Sequence, residues 1–527
     1  SVVNSAYVTI SNVYIYNTYL HGIMLGYCGS TSYITISNVR CEDNLDKNIC
    51  LYHCENSTIF QSMFSNSVYE DGICLYGSVY NCLISQNTIE GNPRYGLYIA
   101  DTCYNITSLG NKVFNHGSGR FGIAGYDFVF NGYYIKSIDD SSRYSNSSVV
   151  VLVSNFQEIT RTMITMFECS SPISTSGGTA FRIRADYVTV SLSKVTGANV
   201  GYDIYGARYS SLFMDDAYDC SVAFLIQGDN LILDNCKGFD SPTGVRMLEG
   251  DNVTIRNCLM KRADDYPFRC NYSPVDNLKV IGGEYSGSGI YNGIRVSKLT
   301  NALFQDVKVI DNAGEGVRID NSSSVTFKNC DVENNGGDTN LLLIAIEGEL
   351  NDITIIDGKY NNHDSTGIKI CAYEKNITNL RISGIKASGN AIRGIGLLAT
   401  AGCNITTVQI RECVLEKNSA HGIVFESSRI TDIYVLYNRI VNNDQYGIYT
   451  NGEENDVIYI TNNVFENNGE AIKNNGNATL HVKYNQGYAT ENSGTATNTT
   501  ATTFVFNHDL AGTPVGVWAS FNTTEIT

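Results

Sequence analysis

One round of sequence, about two dozen residues long, recurs along almost the whole chain, and no other feature constrains the fold as strongly. It is plainest in Tyr446 to Asn468, YGIYTNGEENDVIYITNNVFENN. A glycine opens an alternating apolar segment, Gly447-Ile448-Tyr449, and a polar turn leads to a second, Val457-Ile458-Tyr459-Ile460. A third short segment, Val464-Phe465, closes the round before Asn467-Asn468. A fixed internal period of this length outranks chain length as a guide to architecture.

The residue preceding the first apolar position of each round serves as an anchor. Anchors fall at Gly22, Asn48, Gly72, Gly96 and Gly122, then at Ala180, Gly201, Ala223, Gly244, Pro267, Gly293 and Gly316. They continue at Leu343, Gly367, Gly394, Gly422, Gly447 and Ala471. The interval of 58 residues between Gly122 and Ala180 holds two rounds and an insertion, which gives about twenty rounds. Second strands are equally regular, as in YITISN at Tyr33 to Asn38, NVTIRN at Asn252 to Asn257 and SVTFKN at Ser324 to Asn329.

Alternation along these segments places one side of each strand inward and the other outward. Asparagines recur after the second strand, at Asn38, Asn87, Asn111, Asn257, Asn329 and Asn463. Asn tolerates left-handed backbone angles and suits a sharp corner. Short strands, tight corners and a period in the low twenties describe a solenoid of stacked coils. In these features the sequence resembles right-handed parallel β-helix proteins of the pectate-lyase-like architecture, specifically their generic β-helix repeats. The resemblance implies an all-β, single-stranded right-handed parallel β-helix of about 20 coils over residues 1–488. It implies little about activity, because lyases, glycosidases, viral tailspikes and adhesins share the architecture.

Residues 123–178 read as an irregular insertion, with Val149 to Val153 a buried strand and Asp139 to Ser148 a polar loop. Residues 489–503 form a Thr/Asn/Ser-rich linker. Residues 504–527 carry the single tryptophan, Trp518, and read as a hairpin turning at Ala511-Gly512-Thr513-Pro514. Two dozen residues bury no core alone, so this β-hairpin-like module reads as incomplete. It resembles β-rich C-terminal segments of phage and archaeal-virus tail proteins.

Sixteen cysteines accompany Asn-X-Ser/Thr sequons at Asn56, Asn105, Asn146, Asn252, Asn271, Asn321, Asn376, Asn404, Asn477, Asn498 and Asn522. Together they favour an oxidising, extracellular, cell-surface or virion-surface setting. The anchors put Cys28 opposite Cys54, Cys50 opposite Cys74 and Cys236 opposite Cys258 in neighbouring coils. Coils stacked about 4.8 Å apart fall within the Cα separation a disulfide accepts. The same cysteines also suit a ladder of small apolar fillers. A net charge of −17 argues against nucleic acid, and no apolar run reaches the length of a membrane span. No Cys/His spacing suggests zinc, and no cofactor is expected. Because the chain starts at Ser1, without an initiator Met, it reads as processed or partial.

The position two after the anchor points outward. It is arginine in four successive coils, Arg246, Arg269, Arg295 and Arg318, with Arg182 and Lys369 at the same position elsewhere. Such a column needs counter-anions. Either Glu249, Asp251, Glu315 and Asp320 supply them, or an acidic glycan does, held by bidentate guanidinium contacts.

Catalysis by a glycosidase requires two carboxyls converging across a sugar. The acidic doublets Asp139-Asp140, Asp215-Asp216 and Asp264-Asp265 face opposite sides of a strand or sit in turns. Polygalacturonase-like β-helix enzymes carry N-T-D, D-D, G-H-G and R-I-K in that order; here only isolated D-D doublets occur, with Arg182-Ile183-Arg184 the nearest imitation of R-I-K. Nor is there the calcium-binding aspartate cluster of pectate lyases, and no catalytic residue is assigned. The sequence thus reads as a non-catalytic extracellular β-solenoid, a structural or adhesive fibre subunit or virion spike that self-associates into an oligomer or filament and binds glycans. The alternative is a polysaccharide lyase or glycoside hydrolase acting on an acidic polysaccharide.

Overall fold

The computed structural model describes residues 5–114, 126–143, 149–154, 161–170, 178–400, 402–427, 429–451 and 456–488. The linker and hairpin expected at 489–503 and 504–527, with Trp518, lie outside the described residues. All regular structure in the described residues is β-strand, and every strand pairing between coils within either unit is parallel. The chain divides into two compact units, 1–337 and 338–527.

A typical coil is built from three strands. In the round that defines the repeat these are Tyr446–Thr450, Val457–Thr461 and Val464–Glu466. Each strand pairs with its counterpart one coil along, Ile448 with Ile472 and Ile458 with Leu480. Thirteen first strands stack in the first unit, from Ile23–Leu25 to Val317–Asp320. The second unit has six among its described residues, from Thr339–Ala345 to Glu470–Asn474.

Period-2 alternation buries one side of each strand, so like side chains pile into inward columns. Phe181, Tyr202 and Phe224 stack with ring centroids 5.0 and 5.1 Å apart, and Phe304 lies 4.7 Å from Phe327. The second unit has an aliphatic column, Leu341, Ile368, Ile395, Ile423 and Ile448, all fully buried. A core this repetitive buries its apolar area coil by coil, each leaning only on its neighbours.

Strands change direction at single left-handed residues. In the coil starting at Gly244 these are Asn252, Asn257 and Arg262, with φ of 56, 53 and 55°. Asn38, Asn257 and Asn329 occupy such corners as expected. Asn87, Asn111 and Asn463 do not: they sit one residue later and turn inward. There Asn87 Nδ2 donates to Asn111 Oδ1 at 3.0 Å, and Asn463 Nδ2 to Asn485 Oδ1 at 3.0 Å. A longer amide ladder, Asn390 to Asn418 to Asn443 to Asn468, has steps of 3.0, 2.9 and 2.8 Å. These amides satisfy backbone groups that the corners leave unpaired inside the core.

Most anchors register as expected; two are corrected. Gly122 lies outside the described residues, and the coils of that interval are anchored at Asp127 and Val150 instead. Leu343 gives way to Asn340, because Leu341 pairs with Ile368. Within 123–178 the strands Tyr126–Phe130, Lys136–Ile138, Ser141–Arg143, Val149–Val153, Thr162–Thr165 and Glu168–Ser170 continue the coil. Ser141–Arg143 pairs with Lys112–Phe114, so those residues are strand where a polar loop was expected.

Candidate functional site

The position two after the anchor forms one outward column in the first unit. Arg246 is the Cα partner of Arg269, Arg269 of Arg295, and Arg295 of Arg318. Parallel pairing sets the step at about 4.8 Å. Guanidiniums at that spacing repel by roughly 1 kcal/mol per neighbouring pair in water.

Carboxylates relieve this repulsion only at one end of the column, where the Asp320 carboxylate faces Arg318 and is also felt by Arg295. Among the described residues, only Arg318 of these four has an ion pair, Nε to Asp320 Oδ1 at 3.3 Å. Glu249, Asp251 and Glu315, expected as counter-charges, make no ion pair with the column. Arg246 and Arg269 are instead laid on tyrosine rings, and Arg295 reaches a tyrosine hydroxyl. Arg269 lies 4.9 Å from the ring centres of both Tyr266 and Tyr272, and Arg246 lies 5.0 Å from Tyr272. Arg246 Nη2 donates to the Tyr272 hydroxyl at 2.9 Å, and Arg295 Nη1 to the Tyr266 hydroxyl at 3.3 Å. Arg269 Nε donates to Asn271 Oδ1 at 2.8 Å. Cation–π contacts of this kind contribute about 0.5–1 kcal/mol each at exposed sites.

The local fold explains why these groups meet. Tyr266–Cys270 and Ile294–Ser297 are first strands of adjacent coils. Tyr266 precedes the anchor Pro267 at the start of its strand and is buried beneath the column, stacked on Tyr291 at 4.9 Å and 4°. Tyr272 follows the strand end and leans back over two arginines. Gly293 makes room for the interior of its own coil beneath Arg295; a Cβ there would lie 2.5 Å from both Val309 Cγ1 and Asn312 Nδ2. Lys298 adds a cation beside the four arginines, its Nζ donating to the Tyr272 carbonyl at 3.4 Å.

Each guanidinium carries five N–H donors and uses one of them here; Nε of Arg246 and of Arg295 is buried, so the donors left for a ligand are those of the terminal nitrogens. The face can therefore hold carboxylates or sulfates with charge-assisted bonds, beside the exposed rings of Tyr272 and Tyr291.

The other expected site residues are placed elsewhere. Arg182 is held by Asp203, Nε to Oδ2 at 2.7 Å. Lys369 lies in the second unit, paired with Asp338 at 3.6 Å. Asp140 and Asp215 are buried ladder residues and not turn acids. Asp140 Oδ1 accepts from Asn111 N at 2.7 Å, and Asp215 Oδ1 from Ser193 N at 2.8 Å. Burial pushes their carboxyls up, to about 6 and about 8. Asp264 is exposed and Asp265 half-buried, at the corner leading to Tyr266. An open depression lined by Asn38, Arg40, Gln61, Met63, Gln86 and Thr88 lies on the third-strand side of the early coils and gathers no carboxylate.

All sixteen cysteines are free thiols. Cys50 and Cys74 are Cα partners, and their thiols share a hydrogen bond, as do those of Cys236 and Cys258. Cys28 does not face Cys54: Cys54 pairs with Thr31, and Cys28 is exposed whereas Cys54 is buried. The sequon residues Asn56, Asn105, Asn252 and Asn321 sit at left-handed corners. Asn404 N donates to Asn376 Oδ1 at 2.9 Å, Asn477 is exposed, and Asn146, Asn498 and Asn522 lie outside the described residues. No group of three or more His, Cys, Asp or Glu among the described residues is arranged to hold a metal, and no helix there is long and apolar enough to cross a membrane.

A family model described as "Right handed beta helix region" matches residues 1–137, 221–378 and 292–458. The chain belongs to this family. The arginine–tyrosine face thus lies on first strands of a right-handed β-helix, inside the second matched stretch. No curated protein matches the chain. Similar solved structures include the Azotobacter vinelandii mannuronan C-5 epimerase AlgE4 A-module, 11% identical, covering 82% of this chain and 90% of that one, with a TM-score of 0.29. The PL6 family alginate lyase AlyGC is 7% identical, covering 91% and 96%, with a TM-score of 0.30. DFA-IIIase from Arthrobacter chlorophenolicus A6 is 10% identical, covering 64% and 84%, with a TM-score of 0.32. Likeness at this level carries nothing about activity.

Proposed function

We propose that this right-handed β-helix is an extracellular glycan-binding protein whose first unit holds an acidic polysaccharide on the arginine–tyrosine face. One observation carries the reading. Arg246, Arg269 and Arg295 stand in successive coils of a chain with net charge −17, and none has a carboxylate partner among the described residues. A fold that needed only a neutral surface would place acids there, as it does at Arg182 and Arg318. Three free guanidiniums fixed by tyrosines favour an external anion, and exposed tyrosine rings add apolar area for a sugar face. Net negative charge elsewhere disfavours the unspecific binding of nucleic acid.

The test is retention of the protein on immobilised acidic glycans, uronates and sulfated chains, against neutral ones, with soluble products followed in parallel. Retention on the acidic set that falls at least tenfold in Arg246→Glu/Arg295→Glu, with the fold intact by circular dichroism, is the expected result. Equal retention of both proteins would overturn the proposal. Release of new reducing ends or unsaturated products by the wild-type chain would replace a binding role with a catalytic one.

A further inference from the structure

The bounds of the arginine column define how long a ligand it takes. We infer that the bound polysaccharide runs along the coil-stacking direction with one acidic sugar per coil, and that the site accepts three acidic residues and no more. This rests on the glycan-binding reading above and specifies its ligand: a linear chain carrying one anionic group per sugar.

The column is closed at both ends. Preceding Arg246, the Cα partner is Leu225, a half-buried apolar residue. Beyond Leu225 comes Asp203, whose carboxylate already holds Arg182 at 2.7 Å. An anion continuing that way meets first no cation and then a carboxylate. At the other end, Arg318 follows Arg295 in register but is occupied by Asp320 at 3.3 Å. A fourth anionic group would have to displace Asp320 or lie against it.

The three arginines between these limits are tied into one unit. Tyr272 takes Arg246 and Arg269 on its ring, while Tyr266 takes Arg269 on its ring and Arg295 on its hydroxyl. Two tyrosines thus brace three guanidiniums at a fixed step of about 4.8 Å. Ordering the arginines before the ligand arrives lowers the entropy lost on binding. Arg318 makes no ring contact among the described residues. A polymer whose charges are spaced near one per coil matches this comb, and one whose charges are much farther apart engages fewer teeth.

Calorimetric titration with linear uronate oligomers of two to six residues tests this, with a sulfated series as a second arm to separate carboxylate from sulfate recognition. Affinity should rise by about tenfold per added residue up to three, as each new charge-assisted contact forms. It should change less than about threefold from three to six. In Asp320→Asn, Arg318 is released, and the tetramer should bind about tenfold more tightly than the trimer. Affinity that climbs steadily through six residues, or that is equal for two and six, would overturn the three-residue limit while leaving glycan binding intact. Failure of every oligomer to bind would instead remove the glycan reading, and the limit with it. The wild-type length profile decides the matter even if Asp320→Asn does not fold.

Discussion

Arg269 and Arg295 are Cα partners in adjacent coils, and neither has a carboxylate within 4.0 Å among the described residues. The rings of Tyr266 and Tyr272 hold Arg269, and the Tyr266 hydroxyl holds Arg295. Packing tyrosine against arginine leaves the positive charge unneutralised, whereas an ion pair would cancel it.

Tyr272 contributes through both its ring and its hydroxyl. Tyr272→Phe keeps the ring and loses the hydroxyl that accepts from Arg246 at 2.9 Å. It should weaken binding of an acidic glycan about threefold, because the lost bond positions Arg246 without itself touching the ligand. Tyr272→Ala also removes the ring beneath Arg246 and Arg269 and should cost about tenfold or more. Titration of both variants with one uronate oligomer checks the order.

Asn271 opens a sequon inside the site, and its Oδ1 accepts from Arg269 at 2.8 Å. A glycan attached there would cover the guanidiniums. Protein made in a glycosylating host should bind acidic polysaccharide only where Asn271 is unmodified. Removal of the sequon by Ser273→Ala should make binding uniform, as read by mass spectrometry of bound and unbound fractions.

Asp140 makes stability depend on pH. Its carboxyl is raised to about 6 by burial, against about 3.9 unfolded. Between those values the unfolded chain has released a proton that the folded chain retains, so stability falls as pH rises from about 4 to about 6. The loss is at most about 3 kcal/mol. Asp140→Asn should extend the ladder from Asn111 and flatten this part of the profile, measured by denaturant midpoints from pH 4 to 8. Asp215, raised to about 8 by burial, acts in the same direction to higher pH.

Asn443 donates to Asn468 Oδ1 at 2.8 Å and to the Leu415 carbonyl at 3.1 Å, and accepts from Asn418 at 2.9 Å. Asn443→Ala removes side-chain partners from Leu415 and Asn418 in one flanking coil and from Asn468 in the other. A loss of about 2–3 kcal/mol should appear in chemical unfolding, with no effect on glycan binding in the first unit.

Much of this was legible in the sequence, because a period converts linear spacing into adjacency. Once Gly244, Pro267, Gly293 and Gly316 are aligned, the contact between Arg246, Arg269, Arg295 and Arg318 follows from strand pairing. What surrounds the column was not legible. Tyr266 precedes its anchor and Tyr272 lies beyond the strand end, so neither shares the arginines' position, and bending of the corner brings them against the column. Asp140 and Asp215 looked like turn acids, since a ladder position filled elsewhere by Asn gives no sign of burial when Asp occupies it. Cys28 and Cys54 have equal offsets from their anchors. They part company because the chain between Leu25 and Thr31 leaves the strand, and an offset counted through a loop loses its register. The pair Cys50 and Cys74, counted within strands, kept it.

The most direct test of the arginine face is a structure of the protein with an acidic trisaccharide. Three anionic groups should each lie within hydrogen-bond distance of Arg246, Arg269 and Arg295, with sugar rings against Tyr272 or Tyr291. A trisaccharide seated on other residues, with these three guanidiniums still facing solvent, would contradict the account.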